Sequence, residues 1–204
     1  MDAREGVGEA PDAALLARIR SLFEDGRILW KRFDSEVRRH GWHPFKPAHY
    51  ETVLGALLPL RAPGLRFLEL GSAMGVIAIM ADLLGFEAYG IELDPDLVAD
   101  ARALADRYES EARFAAGSFL PAGYEWRGER GDERLGTVGV GEPAYAELGL
   151  ALTDFNVLFA YPWYGESPML RDLARRCGSP DATLLLHAHD RGVNAYRGGQ
   201  PVAP

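Results

Sequence analysis

The chain of 204 residues is 48% hydrophobic and 25% charged, which supplies a sizeable core and the polar surface of one soluble domain. A formal charge of -8 with no run of Lys or Arg argues against a general nucleic-acid binder, which needs a basic patch to release counterions. Cys177 is the only cysteine, so neither an intrachain disulfide nor a cysteine-based zinc site can form; with no signal-like or membrane-length apolar run, the expected address is the reducing cytoplasm, with no membrane partner.

In chain order, residues 1–11 read as a loose acidic tail. Residues 12–65 read as a helical cap: Leu15, Ile19 and Phe23 recur at helical spacing behind the N-cap candidate Asp12. A second helical pattern through Ile28, Trp30, Phe33 and Val37 is stopped at Gly41. A proline- and aromatic-rich lead-in, GWHPFKPAHY, enters a third helix over 48–58. Over 66–204 the rhythm changes to strands alternating with helices: RFLEL, VIAIMADLLG, AYGIEL, PDLVADARALADRY and ARFAAG. That alternation predicts a parallel sheet with crossover helices. A glycine-rich excursion over 121–141 interrupts it. A short helix near Tyr145, a strand DFNVLFA, a helix over 168–177 closed by Gly178, a strand TLLLH and a final edge strand in GVNAYRGG complete the pattern.

The turn after the first strand, RFLELGSAMG, carries the chemistry. Ligands of open α/β sheets lie beyond the carboxyl ends of the strands, where the first strand turns into the first helix. Gly71 falls at that point and lets a ligand approach the backbone, and Gly75 opens the next helix with its amides free. Dinucleotide folds use GxGxxG, whereas this turn is GxxxG behind a strand carboxylate, Glu69. Glu92 ends the second strand roughly 20 residues further on, where such folds place an acid for the ribose hydroxyls. Asp94, Pro95 and Asp96 start the next helix as N-cap, N1 proline and first-turn acid.

From Arg66 to about Trp163 these motifs resemble class I S-adenosylmethionine (SAM) methyltransferases. More narrowly, HPF, GFEAYGIE, DPDLV and FAYPW resemble segments of a bacterial group within that class, and FKPAHYETVLGALLPL is similar to the lead-in that folds over the cofactor in some seven-strand lysine methyltransferases. The resemblance implies a three-layer Rossmann-like α/β fold with about six mostly parallel strands, a shortened C-terminus, and N-terminal helices capping the cleft. It implies SAM contacts from Glu69, Gly71, Ser72, Ala73, Gly75, Glu92 and Leu93, with Ala73 standing where a middle glycine is usual. Gly117, Ser118 and Phe119 stand where an acid usually receives the adenine. Ala160, Tyr161, Pro162 and Trp163 stand where amino-directed enzymes carry (D/N/S)PP(Y/F), and Tyr50, Trp163 and Tyr164 are the expected substrate contacts. Tyr161 and His43 are the candidate catalytic groups, with Tyr50 and His187 as further possible proton acceptors.

The implied activity is methyl transfer to a small molecule or a protein side chain, by a monomer or a homodimer paired through an uncovered sheet edge. Two alternatives stand beside it. A SAM-binding protein without transfer fits the replacements Ala73, Ser118 and Ala160; a nicotinamide oxidoreductase is disfavoured by the GxxxG spacing. His40, His43 and His49 cluster in sequence, as do His187 and His189, but no third and fourth ligand can be named, so no metal is expected.

Overall fold

The computed structural model describes residues 11–41, 45–126, 141–163, 165–188 and 192–203. The tail over 1–10, most of the excursion (127–140) and the candidates His43, Tyr164 and His189 lie outside the described residues.

Helix α1, Ala13–Phe33, begins where the Asp12 carboxylate accepts the Leu15 N–H at 2.7 Å. It continues through the buried Gly26 into a π-helical turn, Asp34–Arg38, so the two helical patterns of the sequence are one rod. Nothing between them breaks it: no proline intervenes, and Ile19, Leu22, Phe23, Gly26 and Phe33 keep one buried stripe. Helix α2 is Tyr50–Leu57, followed by a 3-10 turn over Leu58–Leu60.

Strands β1 (Arg66–Leu70), β2 (Glu87–Glu92), β3 (Arg113–Ala116), β4 (Val157–Ala160) and β5 (Thr183–Ala188) are parallel, and helices α3 (Val76–Leu83), α4 (Pro95–Arg107), α5 (Tyr145–Leu148) and α6 (Ser167–Cys177) lie on the connections between them. Strands β6 (Gly192–Arg197) and β7 (Gln200–Val202) add an antiparallel end, giving a seven-stranded sheet in the order β3-β2-β1-β4-β5-β6-β7. The tail thus supplies two strands where the sequence suggested one. Three exposed residues containing Pro201 carry no strand periodicity, and a short proline-bearing edge discourages further pairing.

The period of two along the strands sorts side chains into two cores. Phe67, Ala88, Val157, Phe159 and Leu185 face the layer built on α1 to α4. Leu68, Leu70, Ile91, Leu158, Leu184 and Leu186 face α6 and the segment around Phe155. The strand order reverses between β1 and β4, and that switch point opens the crevice in which such sheets bind ligands.

Candidate cofactor and acceptor cleft

An open cleft lies at the carboxyl ends of β1, β2 and β4. Its cofactor side is the turn after β1, and it is built largely from backbone. Gly71 has φ +79, and a Cβ placed there would meet nothing within 4 Å, so its face is open. The Gly71 and Ser72 N–H groups both donate to the Ile91 carbonyl at 2.9 Å, tying the turn to β2. Ala73 is also left-handed, at φ +44, a conformation that costs an L-residue about 1–2 kcal/mol. Two things hold it. Its N–H donates to Glu92 Oε2 at 2.8 Å, and its methyl packs in the cluster of Phe33, Met74 and Leu97. The alanine in the middle-glycine position is therefore occupied with packing against the N-terminal helix.

Glu92 serves the loop as well as the cleft. Its other oxygen accepts the Asp94 N–H at 3.1 Å, and Asp94 in turn caps α4 by accepting the Asp96 N–H at 2.9 Å. Glu92, Leu93 and Asp94 all line the cleft.

Glu69 occupies an inward position of β1, in register with Phe67, where the pattern would otherwise place an apolar side chain. It is 6% exposed and accepts the Ala78 N–H of the first turn of α3 at 2.9 Å. Burial pushes its carboxyl well above the usual range, the Ala78 N–H opposes this, and the Glu92 charge adds to it. The folded chain therefore holds a proton that the unfolded chain releases. The resulting stabilisation is complete below the ordinary carboxylate pKa and is lost as pH rises toward the raised one. Glu69→Gln is expected to flatten this part of the pH dependence and to gain on the wild type at alkaline pH. Thermal melts from about pH 5 to about pH 9 check it, and parallel curves for the two proteins would refute it.

The opposite wall comes from the end of β4: Ala160, Tyr161, Pro162, Trp163 and Glu166. Glu166 is 7% exposed and accepts the Trp163 N–H at 2.8 Å, so this corner folds back on its own carboxylate. Burial raises the Tyr161 hydroxyl, and burial with the nearby Glu69 raises that of Tyr50, so both stay protonated and serve as hydrogen-bonding groups rather than ready bases. The lead-in residues Phe45, Lys46, Pro47 and Ala48 close the rim, with Lys46 exposed.

Of the residues expected from sequence, Tyr50, Glu69, Gly71, Ser72, Ala73, Glu92, Leu93, Phe119, Tyr161 and Trp163 line this cleft. Gly75, Gly117 and Ser118 do not. Gly75 sits where a Cβ would lie 2.6 Å from the Phe114 ring, so its task is packing. Ser118 is stitched to the far side of the excursion: its N–H donates to the Glu142 carbonyl, its carbonyl accepts the Ala144 N–H, and its hydroxyl accepts the Leu120 N–H. Lys46, Met74 and Glu166 also line the cleft, outside the residues expected from sequence. Only Glu166 left a signal, as an acid just ahead of a helix.

The cleft fits SAM on three grounds. The Gly71 face is open to a ligand; Ser72 lines the cleft with a buried hydroxyl that has no hydrogen-bond partner among the described residues; and Glu92 and Asp94 complement a cationic sulfonium and amine. Among the described residues, no three His, Cys, Asp or Glu side chains gather to hold a metal, and no helix is long and apolar enough to cross a membrane.

The strand order, the glycine turn and the acid closing β2 define a class I SAM-dependent methyltransferase fold. No family model matches the chain. It is 40% identical over 81 residues to ribosomal protein L11 methyltransferase of Thermus thermophilus, a match that covers 38% of this chain and only 32% of that relative's length. It superposes on an RNA methyltransferase from Salinibacter ruber, solved with S-adenosylhomocysteine (SAH), with a TM-score of 0.52 at 21% identity, covering 78% of this chain and 97% of that one. The second likeness overturns the expectation of no general nucleic-acid binding: nearly the whole of an RNA methyltransferase shares this fold, so a net charge of -8 does not argue against RNA.

Proposed function

We propose that the chain is a SAM-dependent methyltransferase whose acceptor is an amino group on a protein side chain. When bound, SAM supplies an electrophilic methyl on a sulfonium. The chain's own part is positioning and exclusion of water, from which much of the rate of such a transfer comes. Gly71, Ser72, Glu92 and Leu93 would hold the cofactor on one side of the cleft. Tyr161, Trp163 and Glu166 would orient the acceptor on the other, the aromatic faces and the carboxylate both favouring a cationic or amino group. Glu166 supplies the polar group that Ala160 lacks in the usual amino-directed motif. The name of the Thermus relative adds support for a protein acceptor, and the single thiol, Cys177, suits a reducing cytoplasm.

The observation that carries this reading is the joining of the Gly71 turn, Glu92 and the Tyr161–Glu166 corner in one cavity. Calorimetry with SAM and SAH, followed by tritiated-methyl labelling of lysate separated into protein, RNA and small molecules, tests it. Binding with label in the protein fraction is expected. Label in RNA alone would replace the acceptor, binding without any label would favour the binding-only alternative, and no binding would end the reading.

A further inference from the structure

The segment over 45–49 has no regular secondary structure, yet it crosses the cleft between two anchors. At its first end the Phe45 ring packs edge-on to Trp30 at 5.0 Å and to Phe33 at 5.5 Å, in the cluster that also receives the Ala73 methyl. Lys46, Pro47 and Ala48 then line the rim. At its other end the His49 N–H donates to His187 Nε2 at 3.3 Å. His49 is the N-cap of α2, and helix geometry supplies no acceptor for an N-cap amide. Its own ring is turned back onto the helix, with Nδ1 at 2.8 Å from Thr52 Oγ1.

His187 is well placed to receive that amide. It lies near the end of β5, on the same face as Leu185, and is 4% exposed. An amide N–H can only donate, so Nε2 must carry a lone pair. The same ring stands edge-on to Tyr161 at a centroid distance of 4.6 Å, and Tyr161 is on the acceptor wall. One buried imidazole thus touches both the strap over the cleft and the wall across from the glycine turn.

We propose that His187 is a positioning residue: it latches the 45–49 strap through the His49 amide and braces Tyr161 with its ring. The strap closes the cofactor side and Tyr161 shapes the acceptor side, so the two contacts affect different steps. The inference rests on the cofactor reading given above for its binding readout, though the latch itself is measurable without ligand.

The test pairs two substitutions that split these contacts. His187→Phe keeps a ring against Tyr161 and removes the acceptor; His187→Gln returns an oxygen near the Nε2 position and removes the ring. In the ligand-free protein, His187→Phe is expected to speed hydrogen exchange of the His49 amide, and calorimetry is expected to show SAH binding about tenfold weaker. His187→Gln is expected to restore both toward wild type, yet to label the lysate severalfold more slowly at saturating SAM. If a folded His187→Phe exchanges at residue 49 and binds SAH like wild type, the latch is overturned; if His187→Gln labels at the wild-type rate, the brace is overturned. Should His187→Phe fail to fold, His49→Pro removes the donor and leaves His187 in place, at a φ of -79 that proline accepts. Wild-type SAH affinity in that variant would overturn the latch equally. Failure of the wild type to bind SAH would sink the cofactor reading alone, since the exchange measurement still decides the latch.

Discussion

Glu92→Ala is expected to weaken SAH binding by one to two orders of magnitude, about 1.4–2.8 kcal/mol, and to lower the melting temperature as well. The carboxylate accepts two backbone N–H groups, from Ala73 at 2.8 Å and Asp94 at 3.1 Å. Hydrogen bonds to a charged acceptor are worth about 1.5–3 kcal/mol each, and truncation leaves both donors short of a partner. The Ala73 bond also restrains a left-handed alanine, so its loss frees the turn that presents Gly71 and Ser72. Binding suffers twice: the turn relaxes, and an acid leaves the cleft wall. Glu92→Gln keeps one acceptor and turns a donor toward the other N–H, so it belongs between the two. Calorimetry beside thermal melts distinguishes the roles. A lowered melting temperature with unchanged SAH affinity would make Glu92 a loop brace and nothing more.

What the sequence made legible follows from where local chemistry decides structure. The stretch from β1 to α4 could be read because each element carries its own signal. Strand runs alternate with an amphipathic helix, and Asp94 with Pro95 marks a helix start that the folded chain shows as a side-chain cap. Gly71 was legible for the same reason, since a turn after a strand needs a residue at positive φ. Partners set by tertiary contact were not legible. Ser118 reads as a free hydroxyl until its bridge to Pro143 and its bonds to Glu142 and Ala144 draw it away from the cleft. Ala73 reads as an intrusion into a glycine motif until the Phe33 cluster shows what its methyl packs against. His187 reads as half of a possible metal pair, and the amide it accepts lies 138 residues earlier in the chain. Gly75 belongs to the same class: the motif assigns it to the ligand, and the packing assigns it to the core.

Gly75→Ala is accordingly expected to cost stability rather than cofactor affinity, by about 2–5 kcal/mol. A Cβ there would lie 2.6 Å from two atoms of the Phe114 ring and 2.9 Å from the Ala101 methyl, between β3 and α4. Forcing a methyl into such a core costs about 1–3 kcal/mol, and the backbone, at φ +75, adds about 1–2 kcal/mol for a non-glycine residue. At about 2–4 °C for each kcal/mol in a domain of this size, the melting temperature falls by roughly 4–20 °C. Phe114→Leu in the same chain separates the two costs: it relieves the steric part and leaves the backbone part, so a double-mutant cycle should show coupling between the sites. Gly71→Ala supplies the contrast. Its methyl would meet nothing of the protein's own, so at φ +79 only the backbone cost of about 1–2 kcal/mol remains: the melting temperature should fall less than in Gly75→Ala while cofactor affinity is lost. If Gly75→Ala keeps the wild-type melting temperature but loses SAH, the motif's assignment was right and the packing argument wrong.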